Sequence, residues 1–214
     1  MLTACGVSAT PVRPTVTPPP VLVSFPTPPT GWKIFTTTTF QLALPDGWQE
    51  FKLNEDSLKS TVKQNQATNP DLSRLLQQVL DAGEFKTLLF YAADTKATGI
   101  VGNVSIGHTT PGGATRSEDV AKQAADALAK NLTQAKNVTT TALVSVNWID
   151  AAQVKYELPY KNAQGASVTL RGSQFVFLVS PQDLYVLTVS GDAASDSFTT
   201  VMDQIGKSFV AVKK

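Results

Sequence analysis

Residues 142–189 read ALVSVNWIDAAQVKYELPYKNAQGASVTLRGSQFVFLVSPQDLYVLTV, and this stretch decides the fold. Ala142, Val144, Val146 and Trp148 fall on every second position, as do Ala152, Val154, Tyr156 and Leu158. A period of two puts successive side chains on opposite faces of a pleated strand. Lys161-Asn162-Ala163-Gln164-Gly165 has the composition of a hairpin loop and leads into Val168–Val179. Pro181-Gln182-Asp183 makes the next turn, into Leu184–Val189. Strand-like runs joined by short turns predict an antiparallel sheet. The alternation also assigns Trp148 and Tyr156 to the core and leaves Trp32 and Tyr160 as the exposed aromatic residues.

Upstream, Phe40-Gln41-Leu42-Ala43-Leu44 reads as a strand closed by Pro45-Asp46-Gly47 turn chemistry. Asn54-Glu55-Asp56 places a cap and two acids ahead of Leu58 and Val62 and starts a helix. Asn69-Pro70-Asp71 starts another, with a cap residue, then proline at the first helical position. Its Leu72, Leu75, Leu76, Val79 and Leu80 form one stripe, and Gly83 ends it. Strands follow at Phe85–Ala93 and Gly99–His108. Thr115 and Glu118 then have the spacing of a capping box for a helix lined by Val120, Ala124, Ala127, Leu128 and Leu132. A last helix aligns Phe198, Val201, Met202, Ile205 and Phe209. Hairpin-joined strands with singly inserted helices predict an α+β fold: an antiparallel β-sheet with helices packed on it.

Composition narrows the function. The 214 residues carry 18 Lys+Arg against 17 Asp+Glu, a net charge of +1, and only 16% are charged. That balance gives no electrostatic footprint for nucleic acid. One Cys excludes an internal disulfide framework, and one His excludes a multi-histidine metal centre. No run of about 18 apolar residues suited to a spanning helix is present. No cofactor motif is recognisable. Gly102–Thr109 mimics the spacing of a phosphate-binding loop, but His108 stands where the lysine belongs and the segment reads as strand. His108 is the one candidate metal ligand, and a histidine beside a Gly/Thr/Pro turn is also the common solvated residue at a loop edge. No Ser sits in a nucleophile elbow. The acid pairs Glu118/Asp119 and Asp192/Asp196 suit helix starts, where negative charge is favourable. Hence no catalytic residue is assigned.

Eight of the 13 prolines fall within residues 1–30, where Arg13 is the only charged side chain. Proline lacks an N–H and fixes φ, so this segment reads as an extended linker and not as sheet or helix. Residues 6–30 would reach on the order of 75 Å fully extended. The competing expectation is an arm packed on the domain through Val21, Leu22, Val23 and Phe25. Residues 31–214 are expected to form a single globular domain, residues 5–30 a Pro/Thr-rich tether, and residues 1–4 the remnant of a signal peptide.

Leu2-Thr3-Ala4-Cys5-Gly6 resembles the lipobox of bacterial lipoproteins, whose cysteine becomes the acylated N-terminus. The resemblance implies lipidation at Cys5 and a location in the bacterial cell envelope, on the extracytoplasmic side of a membrane. Three further stretches resemble the PsbP-like family. Phe40–Trp48 is similar to its opening strand and Pro-x-Gly-Trp turn. Ala152–Leu158 with Gly165–Phe177 is similar to its central hairpin, and Leu184–Thr188 with the helix ending at Ser208-Phe209 to its closing strand and helix. The resemblance implies an α/β/α sandwich, the antiparallel sheet with helices packed on both faces. Its members include an extrinsic photosystem II protein, a nuclear-transport factor that binds a small GTPase, and bacterial lipoproteins of unknown role. They share a habit of binding proteins and no common reaction. The expected function is therefore a non-enzymatic binding or assembly module, membrane-held through Cys5, for an unidentified protein partner in the membrane or envelope. The alternative is a lipoprotein binding a small molecule or metal, or a carboxylate-dependent hydrolase.

Overall fold

The computed structural model describes residues 27–97, 99–131 and 133–212. Cys5, the lipobox-like segment, Val21–Phe25 and most of the expected tether lie outside them, as does Leu132. Two sheets are present. Strands β1 (Trp32–Thr36), β2 (Phe40–Pro45) and β10 (Val210–Ala211) form a small one in the order β1-β2-β10. The large sheet comprises β3 (Trp48–Glu50), β4 (Leu88–Asp94), β5 (Asn103–Thr109), β6 (Lys136–Val146), β7 (Ile149–Lys161), β8 (Ser167–Ser180) and β9 (Asp183–Asp192). Its seven strands run β3-β4-β5-β9-β8-β7-β6, and every pairing is antiparallel. Helices α1 (Glu55–Asn65), α2 (Pro70–Asp81) and α3 (Ser117–Asn131) cover one face, and α4 (Asp196–Lys207) with the small sheet covers the other. The expected antiparallel sheet with helices on both faces is what the chain forms.

The alternation read from the sequence sorts the core. Phe90, Val104, Ile106, Phe175, Phe177, Leu187 and Val189 point one way, onto Phe40, Leu42, Leu44, Met202, Ile205 and Phe209. Tyr91 and Ala93 point the other way, onto Leu58, Leu72, Leu76 and Val79 of α1 and α2. Further along that second face, Ala152, Val154, Tyr156 and Val176 meet Ala121 and Leu128 of α3. Between the helix pair and α3 lies an uncovered strip. Ser105, Thr188 and Gln174 align across β5, β9 and β8 there and are half-buried. Small polar residues at this point let the strands keep alternation without exposing a large apolar side chain.

The helix starts follow sequence chemistry in two cases and depart from it in one. Asn54 Oδ1 accepts the Ser57 N–H at 2.9 Å, and Asn69 Oδ1 accepts the Leu72 N–H at 3.1 Å. Gly83 leaves α2 with φ +67°, the left-handed conformation that glycine adopts without penalty. Helix α3, however, begins at Ser117, so Thr115 is not its cap. The Asp150 carboxylate, 33 residues away, accepts the Ser117 N–H at 2.8 Å and the Ser117 hydroxyl at 2.9 Å. Of the expected stripe, Val120, Ala124 and Leu128 do pack on the sheet, joined by Ala121 and Ala125, whereas Ala127 faces solvent. Phe209 lies in the core beyond the end of α4 instead of on the helix. Strands β1, β3 and β10 were not foreseen. At the end of β2, Asp46 accepts Lys33 from β1 at 3.2 Å and Lys96 from the turn after β4 at 2.9 Å. Hydrogen bonds from those two ammonium groups hold its pKa down at about 2.

Helix α4 packs on the sheet through Phe198, Val201, Met202 and Ile205, and comes closest to it at Gly206. A Cβ on Gly206 would stand 2.2 Å from the ring of Phe175, itself fully buried. Glycine in a helix costs about 0.5–1 kcal/mol relative to alanine, and here close approach takes precedence. Gly206→Ala is accordingly expected to destabilise the chain by about 1–3 kcal/mol through overpacking. Adding Phe175→Leu should recover part of that loss. Urea unfolding of the two single variants and the double variant measures the coupling.

Candidate functional site

The hairpin turn between β8 and β9 and the C-terminal end of β5 meet at one end of the large sheet. His108 pairs in register with Tyr185, and their ring centroids lie 4.8 Å apart with the planes tilted by 46°. Its Nε2 lies 3.2 Å from Asp183 Oδ1, and the Ser180 hydroxyl donates to Asp183 Oδ2 at 2.7 Å. The Ser180 hydroxyl bond and then the His108 bond hold the Asp183 carboxyl below its ordinary pKa. Sequence reading placed His108 at a loop edge. It lies there, as the penultimate residue of β5, and is exposed beside Tyr185.

This His–Asp pair forms the polar rim of a groove of about 570 Å3. Leu89, Val179, Tyr185, Ala211 and Val212 supply most of the remaining lining, with Thr39 between them. Leu89 and Val212 are 46% and 41% exposed, so the groove opens beside apolar side chains already in contact with water. A concave, mostly apolar surface with a few convergent polar groups is the usual form of a binding site. With Nε2–H donated to Asp183, the Nδ1 atom of His108 is left to meet a ligand. Ser180 donates to the aspartate and not to the imidazole, so the three side chains do not form a nucleophile–base pair. Among the described residues, no three His, Cys, Asp or Glu side chains gather as a metal site would require. His108 and Asp183 supply two ligands, short of the three or four of a protein zinc site.

Beside the groove stands the turn between β6 and β7. Asp150 pairs with Leu178, which sets Ile149 opposite Val179 of the groove lining. Trp148 is the next residue out and is 87% exposed, against the expectation that it belonged to the core. The period-two reading fails because the ladder shifts register between Leu143 and Val146, and the chain then reverses over Asn147 and Trp148. Both residues have positive φ, +50° and +67°. A two-residue turn of this kind favours Asn followed by Gly, and an L side chain in its second place costs roughly 1–2 kcal/mol. The Asn147 side-chain amide fixes the turn by donating to Lys207 O at 3.1 Å and Phe209 O at 2.7 Å. Trp32 and Tyr160, expected to be exposed, are half-buried.

No family model and no curated protein matches the sequence. Among solved structures, the solution structure of cyanobacterial PsbP (CyanoP) from Synechocystis superposes with a TM-score of 0.52 at 13% identity, covering 85% of this chain and 93% of that one. The fold is PsbP-like. A protein of unknown function from Pseudomonas aeruginosa aligns at 12% identity over 86% of this chain and 99% of that one, with a TM-score of 0.46. A protein from Bacteroides thetaiotaomicron aligns at 11% identity over 82% of this chain and 46% of that one, with a TM-score of 0.41.

Elsewhere in the PsbP-like sandwich the remaining sequence candidates have structural roles. Glu118 and Asp119 lie in the first turn of α3, where Glu118 also pairs with Arg116 and Lys122. Asp196 opens α4, and Asp192 Oδ1 accepts the Ala194 N–H at 2.9 Å. Asn103–Thr109, the bulk of the phosphate-loop mimic, is strand β5. Two acids that sequence reading passed over matter more. Asp183 completes the groove, and its only signal was membership of a turn. Asp71 is buried at the start of α2 and accepts the Gly99 N–H at 3.1 Å and the Ala163 N–H at 2.8 Å, tying two loops to one helix.

The depressed Asp183 pKa has a definite sign. Its carboxylate stabilises the fold above the ordinary carboxylate range, and that contribution is lost as pH falls through the lowered value. NMR titration should therefore place Asp183 below 3.8, and Ser180→Ala and His108→Ala should each move it upward. An Asp183 midpoint at or above 3.8 in the unmodified chain contradicts the hydrogen-bonded arrangement.

Proposed function

We propose that the chain is a non-enzymatic binding module, held at the extracytoplasmic side of a bacterial membrane by acylation of Cys5, that engages a membrane or envelope protein. The observation that carries the binding reading is the groove at the His108 end of the sheet. Its apolar floor offers contact area, and the His108–Asp183 pair at its rim offers an oriented polar contact for an extended segment of a partner. The Pro/Thr stretch behind Cys5 would let the domain search a volume near the membrane, which raises the effective concentration toward membrane-bound partners. Acyl chains contribute about 0.8 kcal/mol for each buried methylene, so several on one residue give a durable anchor. A second reading, a receptor for a small amphipathic molecule, draws on the same groove, whose volume of about 570 Å3 is in the range of ligand pockets.

Two measurements test these parts separately. Expressed behind a functional signal peptide, the chain should fractionate with membranes and Cys5→Ala should release it; unchanged fractionation refutes the anchor. A photo-crosslinker at position 89 in intact cells should give a discrete protein adduct, weakened several-fold by Asp183→Ala. A crosslinker at Ile34, exposed elsewhere on the small sheet, should give none. Equal labelling from the two positions refutes the groove as the binding surface.

A further inference from the structure

Among the described residues, Trp148 is the most exposed large hydrophobic side chain, and the core does not account for its placement. It occupies the second position of a two-residue turn, where glycine would sit without strain, and is 87% exposed. No core contact offsets that conformation. The turn is nevertheless fixed, since Asn147 bonds two carbonyls at the end of α4. The result is an exposed indole on an anchored turn.

What such a turn fits follows from its surroundings. An indole joins an apolar body to an N–H donor, the combination that suits the headgroup level of a bilayer. The backbone of Lys207 lies under the turn, its side chain is exposed, and it makes no ion pair among the described residues. An unpaired cation at the foot of an exposed tryptophan complements lipid phosphate. Among the described residues, two of the other three exposed large hydrophobic side chains, Leu89 and Val212, lie at this same end of the sheet. A protein pocket for Trp148 would call for a broad complementary surface around it, whereas a two-residue turn offers little.

We propose that Trp148 is a membrane-interface anchor that seats the His108 end of the sandwich in the headgroup layer of a bilayer. The contact belongs to the folded domain and does not require acylation of Cys5. It would turn the groove toward the membrane surface, within reach of the juxtamembrane part of a partner.

The test uses the full, unacylated chain and vesicles of phosphatidylglycerol and phosphatidylcholine with brominated acyl chains. Tryptophan emission should be quenched on vesicle addition. Trp148→Ala should abolish the quenching although Trp32 and Trp48 remain, and should lower partitioning by about tenfold or more. Trp148→Gly should do the same while its thermal midpoint stays level or rises, because the strained residue is relieved. A merely structural tryptophan would lose stability on that change. Quenching that is absent from the unmodified chain, or equal in Trp148→Ala, overturns the proposal. Absent quenching together with a protein adduct from a crosslinker at position 148 overturns it in favour of a protein-binding turn. Because no acyl group is present, neither outcome bears on the Cys5 anchor.

Discussion

Strand β8 is committed on both faces, and the rest of the molecule is arranged around that commitment. Phe175 and Phe177 stack on one side, and Phe177 lies 4.3 Å from Phe209 across the core. Val176, between them in sequence, faces α3 with Ala152 and Val154. Neither face can be left to water, so one must receive α4 and the small sheet and the other must receive α3. Gly206 exists where it does because α4 has to reach Phe175. Asp150 caps α3 from the start of β7, so the position of that helix is also set by the hairpin it covers.

The site sits where this arrangement runs out of cover. Helix α4 ends at Lys207, β10 is two residues long, and the strand ends beyond them carry Leu89, Val179, Tyr185 and Val212. At this end the layers of the sandwich leave a groove between them. That end also holds the chain's single histidine and the exposed tryptophan. A fold whose strands are two-sided has few places to put a binding surface, and a strand-end groove is one that leaves the core intact.

Much of the architecture was legible because it rests on local rules. Alternation in β7, β8 and β9 fixed which side chains share a face, and Asn54, Asn69, Pro70 and Gly83 marked helix ends through their own hydrogen bonds and dihedrals. What was not legible depends on partners distant in sequence. Strands β1 and β10 are defined only by pairing with β2, and Ser117 starts a helix because Asp150 is there to accept its N–H. Trp148 was misplaced for a related reason: a register shift in β6 breaks the period just before the turn. The PsbP-like resemblance carried the fold correctly at 13% identity, as packing patterns persist when individual residues do not. Of the candidate site, His108 was visible as the only histidine. Asp183 and the groove itself were not, because no sequence spacing brings β5, the β8–β9 turn and β10 together.

The small sheet has a mechanical side. A load entering the domain at Gly31 arrives first at β1, an edge strand that pairs only with β2. Antiparallel pairing joined by a turn at Thr37–Thr39 means that such a pull, directed away from β2, opens the ladder one rung at a time from Trp32 instead of shearing all rungs together. The first rungs are those nearest Asp46, where Lys33 and Lys96 converge on one carboxylate. Exposed ion pairs add little to equilibrium stability, but these two stand at the fork of the zipper. Of the two, only Lys33–Asp46 joins β1 to the end of β2 and would part first, while β2, with Phe40, Leu42 and Leu44 fully buried, stays tied to the core.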